Sequence, residues 1–177
     1  MPSPGGTAYI TIDDGPGGYT SQVLSVLAQY QVKATFFLVG NRIQFYPDEV
    51  RRMKNEGHAI GVHSWNHPYW GQLSAEQQKE QVRQTQEALI KVLGESSNLF
   101  RAPGGAYSAG PGGSVPDNPD LYNYNWTVDS NDWQYKPAEN AEFIAKLVFQ
   151  GDPAVPGSEN VIGVYTPYSK SQTRSMV

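Results

Sequence analysis

The chain has 177 residues, the length of one domain with a sizeable core, and its 13 Lys or Arg against 17 Asp or Glu give a net charge of −4. With 38% apolar, 12% aromatic and 17% charged residues it is neither a disordered solvating chain nor a coiled coil, and without a run of five basic residues it lacks the footprint of a nucleic-acid or anionic-membrane partner. Zero Cys excludes a disulfide framework, a cysteine nucleophile and thiolate-ligated zinc, so any metal must take nitrogen and oxygen ligands.

In chain order, Ala8-Tyr9-Ile10-Thr11-Ile12 reads as a short strand that stops in the turn Asp13-Asp14-Gly15-Pro16-Gly17-Gly18. Thr20 or Ser21 is placed to cap a helix with Val23, Leu24, Leu27 and Tyr30 on its apolar face, and Ala34 to Val39 follows as a buried strand. A helix is expected from Pro47 to Glu56, stopped by Gly57, then a strand over His58 to Val62 that ends at His63. Ser74 starts the longest helix, with Glu76 and Gln77 in its first turn, Val82, Leu89, Val92 and Leu93 as its stripe and Gly94 as its stop. Asn98-Leu99-Phe100 leads into Arg101-Ala102-Pro103-Gly104-Gly105, and the Gly- and Pro-rich stretch 104–119 reads as surface loop. Tyr122 to Val128 reads as a strand, with Asp129 as its cap, Ala138 to Gln150 as a helix and Asn160 to Tyr165 as a last strand.

Strands alternating with helices imply a parallel sheet with crossover helices, and acids, imidazoles and a guanidinium placed after several strand ends favour an incomplete or distorted (β/α) barrel over an open sheet. A single domain over 1–177 is expected, with no interior linker and no apolar stretch of about 18 residues to span a membrane. No signal layout is visible at the N-terminus.

Asp13 and Asp14 are adjacent, so on a strand end they point different ways: one can hold a metal while its neighbour stays free, although an Asp-Gly turn alone is equally a cap. His63 and His67 stand at i and i+4, and with one acid they supply the three nitrogen and oxygen ligands that a catalytic zinc uses while leaving a position open for water. His58 begins the strand that ends at His63, so it belongs to the opposite end of the fold and is read as structural.

Four segments, Thr11-Ile12-Asp13-Asp14-Gly15, His63-Ser64-Trp65-Asn66-His67, Arg101-Ala102-Pro103 and Asp129-Ser130-Asn131-Asp132-Trp133, resemble in order and spacing the first four motifs of the polysaccharide deacetylases, carbohydrate esterase family 4 or NodB-homology domains. The resemblance covers residues 7 to 165. It implies a distorted (β/α) barrel and one divalent metal, zinc or alternatively cobalt or another ion, serving removal of acetyl groups from N-acetylglucosamine polymers such as chitin or peptidoglycan. By the resemblance Asp14, His63 and His67 are the metal ligands and Asp13 the base. Arg101 holds the base, Gly104 supplies an oxyanion N–H, Asp132 orients a catalytic His, and Trp133 lines the acetyl pocket. Trp70, Tyr107, Tyr124 and Trp126 are candidates for stacking on sugar. The family is secreted or attached to the cell envelope; an acetylated polysaccharide or oligosaccharide is the expected partner, and a monomer the expected state.

The sequence departs from the family at its fifth motif, where Val161-Ile162-Gly163-Val164-Tyr165 carries Tyr165 in place of the His that protonates the leaving group. Members usually continue into a closing helix after this last strand, and the expectation from the sequence is a domain without it. Losing a general acid costs about two to four orders of magnitude. The loss falls harder on an amide than on an ester, so an acetylxylan-type O-acetyl esterase is an alternative, and a catalytically impaired carbohydrate-binding relative is another. A metal phosphoesterase would need cationic contacts beyond Arg101.

Overall fold

The structure, a computed structural model, describes residues 9–105, 114–115, 118–126, 128–130, 132–134 and 174–175. Tyr107, the helix expected over 138–150 and the strand expected over 160–165 with Tyr165 lie outside them. The chain divides into two compact units, 14–125 and a second made of 1–13 with 126–177.

The strands are β1 (Ile10–Gly15), β2 (Ala34–Leu38), β3 (Ala59–Val62), β4 (Leu99–Phe100), β5 (Ser114–Val115) and β6 (Asn118–Asn123), in the sheet order β1-β2-β3-β4-β6-β5. β2, β3, β4 and β6 pair in parallel, in the registers Phe37↔Gly61, Val62↔Phe100 and Phe100↔Asn123. Phe36, Phe37, Leu38, Val62, Phe100 and Leu121 are buried, consecutive residues of β2 included, as the near-continuous apolar runs of a parallel sheet covered on both faces require.

The helices cover this sheet: α1 (Thr20–Gln29), α2 (Gly40–Ile43), α3 (Pro47–Asn55) and α4 (Ala75–Leu93). α1 buries Leu24 and Leu27, α3 buries Val50 and Met53, and α4 buries Val82, Thr85 and Leu89. α4 begins with a capping box, Ser74 Oγ accepting the Gln77 N–H while Gln77 Oε1 accepts the Ser74 N–H, and it ends at Gly94 with φ +77°. α1 lacks the side-chain cap expected of Thr20, whose Oγ1 instead accepts the upstream Gly17 N–H at 2.8 Å. Tyr30 lies just past α1 and is exposed, so it is not part of the apolar face.

Two loop and strand assignments are corrected. The stretch 104–119 is not all loop: β5 and the start of β6 form an antiparallel pair whose register runs from Ser114↔Tyr122 to Val115↔Asn118. One step on β5 against four on β6 is a bulge, and it accommodates Pro119, which has no N–H for a ladder. The strand expected over Tyr122–Val128 breaks after Asn123, because the Tyr124 and Asn125 carbonyls accept the Arg101 guanidinium rather than a neighbouring strand, with Nε to Tyr124 O at 2.8 Å and Nη2 to Asn125 O at 3.2 Å. In the second unit β7 (Val128–Asp129) pairs antiparallel with β8 (Arg174–Ser175).

Candidate metal centre

His63 and Arg101 each sit one step past a strand's C-terminal end, held there by one more rung of the ladder, and Asp14 lies at the end of β1. His63 N–H donates to Leu38 O at 2.8 Å, Arg101 N–H to Val62 O at 3.0 Å, and Val39 N–H to Gly15 O at 2.8 Å. Asp14 is 6% exposed and His63 1%, while the His67 side chain remains about one-third open to solvent at 34%.

Three side chains from two segments meet here: Asp14 Oδ1 lies 3.3 Å from His63 Nε2 and 3.2 Å from His67 Nε2. One ligand atom from each residue falls within 4.8 Å of the others. His63 Nδ1 lies 2.7 Å from the Arg101 carbonyl, which can only accept, so Nδ1 is the donor there and Nε2 is the nitrogen turned to Asp14. Burial holds the His67 pKa below its usual 6.5 against the opposing pull of Asp14, which favours a neutral ring.

The Nε2 atoms of both imidazoles thus face one carboxylate oxygen, three ligand atoms of the kind that a divalent cation gathers. Ligand atoms about 2.0–2.1 Å from a tetrahedral zinc stand about 3.3 Å apart. The observed separations match, so the residues fit a divalent metal.

The backbone around the cluster is strained where the ligands need it. Asp14, Ser64 and His67 have φ of +66°, +67° and +57°, three of the four non-glycine residues in that region among the described residues. Such conformations cost about 1–3 kcal/mol each and persist only where surrounding contacts impose them. Those contacts are visible. The Ser64 Oγ accepts the His67 N–H at 3.0 Å, and the Gln81 Oε1 on α4 accepts the N–H groups of Trp65 at 2.8 Å and Asn66 at 3.2 Å. The first residues of α2 donate to the same loop, Gly40 N–H to Ser64 O at 3.0 Å and Asn41 N–H to Trp65 O at 2.9 Å. Arg42 donates to the Asp14 carbonyl. Gly40 has no room for a side chain: an added Cβ would lie 2.5 Å from Thr85 Oγ1, 2.6 Å from Trp65 Cε3 and 2.9 Å from the Thr85 Cα.

The sequence reading did not single out Gln81, Gly40 or Arg42. A glutamine on a polar helix face carries no signal of its own, and only the position of Gly40 just after an apolar strand hinted at close packing.

Arg101 is fully buried, with its guanidinium carbon 4.2 Å over the centre of the Phe37 ring and its nitrogens on the Tyr124 and Asn125 carbonyls. Gly104 follows with φ +66° and open space where a Cβ would stand. Asp13 belongs to the second unit and is 1% exposed. There too Asp132 is buried and accepts the Ser130 hydroxyl at 2.6 Å, and Trp133 is 44% exposed. Trp70 is not available to sugar: it is 1% exposed, its ring 5.0 Å from that of Phe100. Tyr124 and Trp126 are half-buried. His58 stands at the other end of β3 from His63, accepting the Ala34 N–H at Nδ1, 3.1 Å, as a structural residue does.

A model of the polysaccharide deacetylase family matches residues 1–111. The chain belongs to the polysaccharide deacetylase family. A peptidoglycan-N-acetylglucosamine deacetylase of Bacillus cereus is 36% identical to it over 137 residues, 72% of this chain and 48% of the relative, so the chain spans about half that relative's length. The structure of the peptidoglycan deacetylase PdaC from Bacillus subtilis superposes with a TM-score of 0.74 at 32% identity, covering 90% of this chain and 74% of the other. That of the chitin deacetylase from the fungal pathogen Colletotrichum lindemuthianum gives 0.78 at 29% identity, covering 91% and 74%. The fold of this deacetylase-family chain is accordingly the family's distorted (β/α) barrel type, with parallel strands and crossover helices.

Proposed function

We propose that the protein is a metal-dependent hydrolase that removes acetyl groups from N-acetylglucosamine units of a chitin- or peptidoglycan-type glycan. The observation that carries this reading is the convergence of Asp14, His63 and His67 on one point at the strand ends. Family membership and the named activities of the relatives support it.

In this reading Asp14 Oδ1 and the Nε2 atoms of His63 and His67 hold a divalent ion, with zinc proposed first and cobalt as the alternative. When bound, such an ion polarises a carbonyl and makes a water easier to deprotonate. Asp13 is assigned to take the proton of the attacking water, and Arg101 to hold that base in position. The new C–O bond forms at the acetyl carbon, the C–N bond breaks, and acetate and a free amine leave. The backbone N–H of Gly104 is assigned to the charge growing on the carbonyl oxygen, where the absence of a Cβ leaves the approach open. Asp132 and Trp133 are assigned to the acid side of the reaction and the acetyl pocket. The amine needs a proton as it leaves: Asp13 can return the one it took, with Tyr165 as the second candidate donor. Such glycans lie outside the cell, so we propose a secreted or envelope location.

A second reading is favoured by the histidine count. The sequence has three His; two are in the metal cluster and His58 is structural, so none remains as a leaving-group acid. An ester tolerates that loss better than an amide, which favours O-acetyl substrates such as acetylxylan. Acetate release from N-acetylglucosamine oligomers, peptidoglycan and acetylxylan, each with and without chelator, decides among these. Chelator-sensitive release from the first two is expected. Release from acetylxylan alone would select the esterase reading, and glycan binding without any release would make the protein a binding relative.

A further inference from the structure

Tyr69 is the most exposed large aromatic side chain among the described residues, 76% open to solvent. It stands two residues past His67, so its Cα lies within about 7 Å of that ligand's Cα. The backbone around it is fixed rather than loose. Its carbonyl accepts the Gln72 N–H at 2.9 Å. The next residue, Trp70, is sunk in the core against Phe100, and its carbonyl accepts Gln78 Nε2 at 3.1 Å. A phenol ring is therefore displayed in water on a hydrogen-bonded turn beside His67, whose side chain is partly solvent-accessible. What distinguishes Tyr69 from the other exposed aromatics is its place beside His67, where an apolar ring face can meet whatever the site binds.

We infer that Tyr69 is a stacking residue for the glycan: its ring takes the C–H face of a pyranose next to the sugar whose acetyl group is at the cluster. The inference rests on the proposed deacetylase reading for the class of ligand, and it assigns to Tyr69 the role that the sequence offered to its buried neighbour Trp70. Binding through a ring face needs the aromatic plane and not the hydroxyl. It also acts on sugars beyond the reacting one, so it strengthens binding of long chains and leaves a monosaccharide unaffected.

The test is calorimetric binding of an N-acetylglucosamine pentasaccharide to the full chain stripped of metal, so that no turnover intervenes, comparing wild type with Tyr69→Ala and Tyr69→Phe. Tyr69→Ala is expected to weaken binding about three- to tenfold, the size of an aromatic contact, and Tyr69→Phe to stay within about twofold. Both variants should melt with the wild type, since the ring is exposed. In the metal-loaded protein Tyr69→Ala should raise KM for the pentasaccharide and spare kcat. Unchanged binding in Tyr69→Ala, an equal loss in Tyr69→Phe, or no pentasaccharide binding by the wild type would each overturn the assignment. Binding through Tyr69 without acetate release would sink the deacetylase reading alone. Acetate release indifferent to Tyr69 would sink the stacking role alone.

Discussion

His63 and His58 show how the ends of one short strand divide the labour. His63 has its Nδ1 tied to the Arg101 carbonyl and its Nε2 facing Asp14, so its ring is oriented before any metal arrives. Asp14→Asn or His63→Ala should therefore remove high-affinity metal binding and chelator-sensitive acetate release together while leaving a folded chain, checked by metal titration and circular dichroism. His58 makes the opposite use of the same chemistry. Its Nδ1 accepts the Ala34 N–H, and burial and the nearby Lys33 hold its pKa below 6.5, with Arg52 adding to and Glu56 opposing that shift. Because the unfolded ring protonates near pH 6.5 and the folded one lower, the unfolded state binds more protons below that point. The stability contributed by neutral His58 is complete above about pH 6.5 and declines as the pH falls below it. His58→Asn keeps an acceptor for Ala34 without a titrating ring, so it should flatten stability between about pH 6.5 and 5 relative to wild type. His58→Phe strands the buried N–H and should cost about 1–3 kcal/mol at every pH. Urea unfolding across that range checks both, and parallel pH slopes in wild type and His58→Asn would refute the linkage.

At the scale of elements, the metal loop is a suspended object: residues 64–67 hang between the start of α2 and the side of α4. Gly40 is the point of closest approach, and Gly40→Ala forces a methyl group against the Thr85 backbone and the Trp65 ring. Overpacking of this kind costs about 1–3 kcal/mol. The same displacement should loosen the Ser64 and Trp65 carbonyl contacts, so a fall in metal affinity should accompany the fall in melting temperature. Gln81→Ala removes the two loop contacts without adding bulk and should weaken metal binding about tenfold at little cost in stability. Metal affinity unchanged in both variants would show that the loop holds its form unaided. These supports explain what the sequence could and could not reveal. The cluster of Asp14, His63 and His67 was legible because the sequence has only three His, two of them at i and i+4, and an Asp pair at the end of a strand. Their support was not, because Gln81 looks like any solvated helix residue until α4 is laid beside the loop. The break after Asn123 was hidden for a related reason: Tyr124 and Trp126 have strand-forming side chains, and only the buried guanidinium of Arg101 shows that the carbonyls there are taken.

At the scale of the whole molecule, the parallel arrangement of β2, β3, β4 and β6 sets a polarity that no single motif contains. The parallel strands put their C-terminal ends at one end of the sheet, with Asp14, His63 and Arg101, and their N-terminal ends at the other, with His58. All three proposed ligands belong to the unit 14–125, Asp14 brought in by the end of β1 and the two His by the segment after β3. Metal binding must then report on the folding of that unit as a whole, since the unfolded chain holds Asp14 and the two imidazoles at no fixed separation. A ligand at 100 times its Kd that binds only the folded state adds about 2.7 kcal/mol. For a chain of this size that corresponds to a rise in melting temperature of about 5–10 °C. The rise should vanish on chelation and in Asp14→Asn, and it should grow with the logarithm of the metal concentration. Hydrogen exchange should show the added protection across β1's end, β3 and the 64–67 loop together, because the strained φ values at Asp14, Ser64 and His67 are imposed by contacts that form only when those segments assemble. Protection confined to the loop, with no change in melting temperature, would mean that the cluster binds metal locally and that the unit's stability does not depend on it.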